Sequence, residues 1–149
     1  SLASEESARI AMQPTHSGPP LTGLVPMIRV ASVERSVEFY QWLGFEVGNR
    51  VPPTGKMGWA WLYAPLVPDW RRGPNLMLTL SDSAIHPDAQ QVLFYLYAAN
   101  LPQLRNDLLR KGLNPGEICY PDYLPKGEFK LLDPDGYCLM IAQSTSDTP

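Results

Sequence analysis

From residue 24 onward, apolar and polar positions alternate in short runs, and twice the period changes from two to that of a helix. Residues 24–31 read as a strand. Val33, Val37, Tyr40 and Leu43 then recur at helical spacing and predict a helix over 33–43 with one apolar face. Ser32 stands where a hydroxyl can accept from a free backbone N–H of the first turn, and Gly44 where a left-handed residue can end the helix. Strands follow at 45–51, 57–63 and 75–80. The second half repeats the order. A strand at 92–98 leads to Asn100 as cap, and Leu101, Leu104 and Leu108 form a helical face with Pro102 in the first turn. Gly112 ends that helix, 68 residues after Gly44. Strands are expected at 116–120, 127–132 and 137–143.

Each half therefore reads β-α-β-β-β. One such half leaves a sheet face uncovered, so halves 24–80 and 91–143 should pair as one domain across a linker at 81–90. Residues 1–23, rich in Ser, Ala, Gly and Pro, read as an N-terminal tail with a short helix at 4–12 and a linker at 16–20. The last two strands are joined by Asp133-Pro134-Asp135-Gly136, with the residue order a type I turn prefers.

Two segments carry a family likeness. The first, residues 25–47, has the pattern S-x-x-F-Y-x-x-L-G-F at Ser36, Phe39, Tyr40, Leu43, Gly44 and Phe45; the second, residues 127–143, surrounds D-P-D-G. Together, framing a tandem repeat, they resemble the vicinal-oxygen-chelate superfamily, which includes glyoxalases, bleomycin-resistance proteins and extradiol dioxygenases. The resemblance implies an α+β fold in which tandem β-α-β-β-β modules form a curved mixed sheet around a cleft. It does not fix function, because the superfamily includes isomerases, dioxygenases, antibiotic-modifying enzymes and drug-binding proteins.

Metal-dependent relatives place a His or Gln in the first strand of each half and a Glu in the last. Carried over, those positions fall at or near Val25, Met77, Leu93 and Met140. Transition-metal ions need nitrogen, oxygen or deprotonated sulfur donors, which Val and Leu lack, and a Met thioether is a poor substitute. His16 and His86 belong to the tail and the linker. Glu128, Asp122 and Gln143 are further donors with no spacing behind them. The expectation is no metal and no cofactor, on the bleomycin-resistance-like side of the superfamily.

Composition adds exclusions. A net charge of −3 gives no basic footprint for nucleic acid or an anionic membrane, and no apolar run is long enough for a membrane-spanning helix. No signal-peptide pattern is visible, and Cys119 and Cys138 make no metal or disulfide framework, so a reducing cytoplasm is the expectation. Cys119 reads as a buried or half-buried structural thiol and Cys138 as core packing. No nucleophile elbow or phosphate-cradling glycine loop is present.

What remains is the cleft. Strand alternation aligns Trp59, Trp61 and Tyr63 on one face, and Leu93, Tyr95 and Tyr97 on another, with Tyr95 and Tyr97 expected to face inward. Which face Trp59 and Trp61 occupy is open. With Met27, Met77 and Met140 they suggest flat, polarisable walls for a planar or hydrophobic ligand, with Arg29 available to orient it. Residues 64–74, with Trp70, Arg71 and Arg72, read as a lid or a solvated loop. Residues 119–128, with Tyr120, Asp122 and Tyr123, read as a second rim. The expected function is metal-independent small-molecule binding by a homodimer. A metal-free enzyme acting on a small hydrophobic or aromatic substrate is the alternative, and an accessory subunit receiving a peptide is a third reading.

Overall fold

The computed structural model describes residue 18 and residues 20–148. The helix expected at 4–12, His16 and most of the expected linker lie outside the described residues. The first module comprises β1 (Met27–Val30), α1 (Val33–Gln41), β2 (Glu46–Val51), β3 (Trp59–Tyr63) and β4 (Asn75–Leu80). Its sheet has the order β1-β4-β3-β2, with β1 parallel to β4 and the other pairs antiparallel. The second comprises β5 (Phe94–Ala98), α2 (Leu101–Arg110), β6 (Glu128–Leu132) and β7 (Cys138–Gln143), in the order β5-β7-β6 with β5 parallel to β7. A short 3₁₀ turn, Pro87–Ala89, lies in the connection.

Both helices start and stop where the sequence directs. The Ser32 hydroxyl accepts from Arg35 N at 3.2 Å, and Asn100 Oδ1 accepts from Gln103 N at 3.1 Å. Gly44 and Gly112 follow at φ +90° and +82°, a conformation costly for other residues.

The strand expected at 116–120 is a correction. Only an isolated bridge, Cys119 with Glu128, forms there. Gly116 N donates to Lys130 O at 2.8 Å and Cys119 N to Glu128 O at 2.8 Å. Three residues thus advance on one side against two on the other, so the ladder slips by one residue. Pro115 and Pro121, which lack the N–H a ladder uses, bound the segment.

One face of each sheet packs toward the helices. Ile28, Val30, Ala60, Leu62, Leu76 and Leu78 come from the first, and Phe129, Leu131, Leu139 and Ile141 from the second. With Val33, Val37 and Tyr40 of α1 and Leu101 and Leu108 of α2 they make a single core cluster. Truncating a side chain such as the fully buried Leu78 to Ala would cost about 2–5 kcal/mol.

A polar clamp also joins the modules, and it is built from the two motif segments. Asp133, at the head of the β6–β7 turn, accepts from Asp135 N and Tyr137 N, each at 2.9 Å, and from the Tyr40 hydroxyl at 2.8 Å. Asp135 accepts from Ala31 N at 3.1 Å and pairs with Arg35 at 3.0 Å, beside the N-terminal turn of α1, where a carboxylate is favoured. The Tyr137 hydroxyl donates to Arg29 O at 2.7 Å. Burial pushes the Asp133 carboxyl above the usual range, although its hydrogen bonds act the other way.

Candidate functional site

The core assigns the other face of each sheet by elimination. In β3, Ala60 and Leu62 are buried while Trp59, Trp61 and Tyr63 alternate with them, so these rings stand on the face away from α1. Register then lays out the open face of the first sheet. Met27, Met77, Trp61 and Asn49 form one row across the four strands. Arg29, Thr79, Trp59 and Val51 form the next.

Trp61 sits in a built aromatic stack. Its ring lies 5.2 Å from Tyr63 in a near-parallel arrangement and 5.2 Å from Trp70 edge-on. Its indole N–H donates to Asn75 Oδ1 at 2.8 Å. Asn75 also donates to the carbonyls of Trp70 and Gly73, at 2.9 and 3.0 Å. The loop at 64–74 is thereby held down, with Trp70 against Trp61 and Tyr63 and the Arg71 guanidinium 4.5 Å from the Trp70 ring. Gly48 belongs to this arrangement, since a methyl there would overlap Trp61 ring carbons Cε3 and Cζ3. Asn75 and Gly48 carry no sequence signal for this role beyond their small size and position.

On the second sheet, Tyr95, Met140 and Lys130 form one row, and Tyr97, Ala142 and Glu128 the next, again on the face away from the core. Cys138 shares that face, with its sulfur 3.9 Å from Met140 Sδ, so it is not core packing. Leu139 and Ile141 take the core positions instead. Cys119, expected to be buried or half-buried, is exposed. Tyr120 and Tyr123 are exposed on the 119–128 segment, and the Tyr123 hydroxyl donates to Glu128 Oε1 at 3.0 Å. Partial burial, and after it the Glu128 carboxylate, push the Tyr95 phenol up to about 12. Tyr123 is raised as well, first by its hydrogen bond to Glu128. His86 is exposed in the linker.

Besides a cavity of about 400 Å³ bordered by Met27, Arg29, Phe94 and Tyr137, two more lie along the seam between the modules. One, of about 250 Å³, is bordered by Pro26, Tyr40, Phe45, Asn75, Tyr95 and Leu139. The other, of about 330 Å³, runs between Leu43, Phe45 and Pro74 of the first module and Leu96, Gln103 and Leu104 of the second. Tyr95 borders the first, whereas Trp59, Trp61, Met77 and Met140 border neither.

Residues 24–141 match the family model of the Glyoxalase/Bleomycin resistance protein/Dioxygenase superfamily. The chain belongs to this superfamily. No curated protein sequence matches it. Solved structures share the superfamily fold at low identity. A bleomycin-binding protein complexed with bleomycin has a TM-score of 0.63 at 18% identity, covering 82% of this chain and 98% of that one. A bleomycin resistance determinant encoded on the transposon Tn5 has a TM-score of 0.63 at 19% identity, covering 81% and 96%. The fosfomycin resistance protein of Listeria monocytogenes has a TM-score of 0.62 at 12% identity, covering 85% and 97%. No helix among the described residues is long and apolar enough to cross a membrane.

At the positions where the resemblance to metal-dependent relatives would put ligands, the residues of this chain do not fit a metal ion. The ladders set Met27 beside Met77 and Tyr95 beside Met140, with Val25 and Leu93 two residues earlier in the chain, ahead of the starts of β1 and β5. None of these six supplies the imidazole or carboxylate such an ion requires. Gln143 is committed elsewhere: its Oε1 accepts from Leu101 N at 2.9 Å and its Nε2 donates to Ala99 O at 2.7 Å, fixing the start of α2. Among the described residues no group of three or more His, Cys, Asp or Glu is gathered where a metal ion could sit.

Proposed function

We propose that this superfamily member binds a small, largely apolar molecule without a metal or other cofactor, and that it does so as a cytoplasmic homodimer. The observation that carries the reading is the chemistry of the open faces. Trp59, Trp61 and Met77 on one sheet, and Tyr95 and Met140 on the other, stand on the side away from the core. Met27, Tyr120 and Tyr123 add exposed apolar or amphipathic area. Such a surface suits a flat ligand, or a second copy of the chain that closes over one. The fold neighbours that bind bleomycin give the reading its precedent. Two free thiols, one of them exposed, are in keeping with a reducing compartment.

A metal-free enzyme on the same face is the second reading, favoured by the Glu128–Tyr123 pair. The tyrosines there are shifted away from neutral pH, which suits them poorly as bases and leaves Glu128 to act on a substrate.

Native mass spectrometry of protein purified from its own host tests the proposal. Retention of a small organic molecule, unchanged after incubation, is the expected result. A dimer without retained ligand that also ignores added planar aromatics in calorimetric titration would reject it, and conversion of the retained molecule would favour the enzyme. Light scattering should give about twice the 16.6 kDa chain mass. A single-chain mass at micromolar concentration would remove the dimer.

A further inference from the structure

Among the described residues, one buried side-chain polar atom has no hydrogen-bond partner: Oε2 of Glu128. The residue is 6% exposed. Its other oxygen is occupied by the Tyr123 hydroxyl at 3.0 Å, the Tyr95 hydroxyl stands near the carboxylate without a hydrogen bond to Oε2, and no basic side chain forms an ion pair with it among the described residues. A carboxylate taken out of water with half its acceptor capacity unused destabilises the protein that carries it. Buried polar groups left unpaired are rare enough that each calls for a reason.

The surroundings supply one. Glu128 lies on the open face of the second sheet, in the row Glu128, Ala142, Tyr97, next to the row that holds Tyr95 and Met140. Two phenols, Tyr95 and Tyr123, stand beside this carboxylate, and Tyr97 and Met140 share its sheet face. Aromatic faces attract cations, and a desolvated carboxylate attracts them more strongly than it would in water. Oε2 is closed to water, and the side chain that can open the carboxylate is Tyr123, whose hydroxyl holds Oε1. Tyr123 is 70% exposed, on a loop tied to itself by Leu124 N to Pro121 O and Gly127 N to Leu124 O, so it can turn aside without breaking a strand ladder.

We propose that Glu128 anchors a cationic nitrogen of the ligand, a protonated amine or a guanidinium carried on an apolar body. Oε2 accepts its N–H, and Tyr95, Tyr97 and Tyr123 flank the charge. This rests on the small-molecule-binding reading above and deepens it: the ligand class becomes amphipathic cations rather than neutral aromatics.

The test uses the full chain near neutral pH and matched pairs of probes: benzyl, 1-naphthylmethyl and n-octyl amines, each against the corresponding alcohol, titrated calorimetrically. The amine of at least one pair should bind about tenfold or more tightly than its alcohol, the size of a charge-assisted hydrogen bond. Glu128→Gln should abolish that gap, the amine losing far more affinity than the alcohol. The free variant should melt at the same temperature as the parent or higher, because an unpaired buried charge has been removed. Equal binding of amine and alcohol, or a gap that survives in Glu128→Gln, overturns the cation site while leaving the binding function standing. Failure of every probe to bind rejects the binding function itself, and the cation site with it. A Glu128→Gln variant that melts lower or loses its dimer also overturns the proposal, since Oε2 would then be satisfied by a basic group of a second copy.

Discussion

The Tyr40 hydroxyl donates to Asp133 Oδ2 at 2.8 Å, a bond between residues 93 positions apart that joins the helix of one module to the last hairpin of the other. Both groups are buried, Tyr40 at 2% exposure and Asp133 at 5%. The S-x-x-F-Y pattern and the D-P-D-G turn, which look like separate sequence signatures, are thus two sides of one contact.

Tyr40→Phe keeps the ring and removes only the donor. Asp133 Oδ2 would then be a buried acceptor without a partner, and stability should fall by about 1–3 kcal/mol. Urea unfolding followed by far-ultraviolet circular dichroism measures this. An unchanged midpoint would mean that the clamp contributes nothing beyond packing.

The same residue governs alkaline stability. Burial, reinforced by Asp133, holds the Tyr40 phenol far above its ordinary 10.0. Tyr95 is pushed to about 12, and Tyr137 is raised by burial. Above pH 10 the unfolded chain releases these protons while the folded one keeps them. The stability they contribute is full below pH 10 and is lost as pH rises through the folded values. Stability should decline from pH 10 upward, and less steeply in Tyr40→Phe. Near-ultraviolet tyrosinate absorbance should show a late group of phenols ionising together with unfolding. Complete titration at ordinary pH in the intact fold would contradict this.

Gly48→Ala tests the aromatic stack. The added methyl would occupy the space of the Trp61 ring, which is held on its other sides by Tyr63, Trp70 and Asn75. Displacing it should cost about 1–3 kcal/mol and alter the near-ultraviolet dichroism of the tryptophans. A native-like spectrum with unchanged stability would show that the stack yields freely.

Elemental analysis of the purified protein should find no stoichiometric zinc, manganese, nickel or iron retained at neutral pH, because the superfamily's ligand positions carry Val, Leu and Met. Near one equivalent of any of them would reject the metal-free reading.

Most of the fold could be read from the chain because its local signals agree: caps at Ser32 and Asn100, stops at Gly44 and Gly112, and a turn at Asp133. Where the reading went astray, the local pattern was ambiguous. Residues 116–120 alternate well enough for a strand, but pairing depends on a register with β6 that slips by one residue, and alternation within a segment does not report that. In β7 both faces are apolar, so periodicity cannot tell that Leu139 faces the core and Cys138 does not. For Trp59 and Trp61, parity groups them together, but only the burial of Ala60 and Leu62 says which way they point. Glu128 was visible only as a stray donor. Its importance comes from what surrounds it across the sheet, from residues far away in sequence.

The clamp between modules works in one direction only. The position 68 residues beyond Tyr40 is Leu108, fully buried and without a hydroxyl, and the first module has a long loop where the second has its D-P-D-G turn. A chain made of two copies of either half would therefore contain a socket without a plug, or a plug without a socket. Whatever symmetry the repeat began with, its halves are now complementary rather than interchangeable. That complementarity is written into the Tyr40 hydroxyl, the acidic turn that receives it, and the Asp135 and Tyr137 contacts beside it.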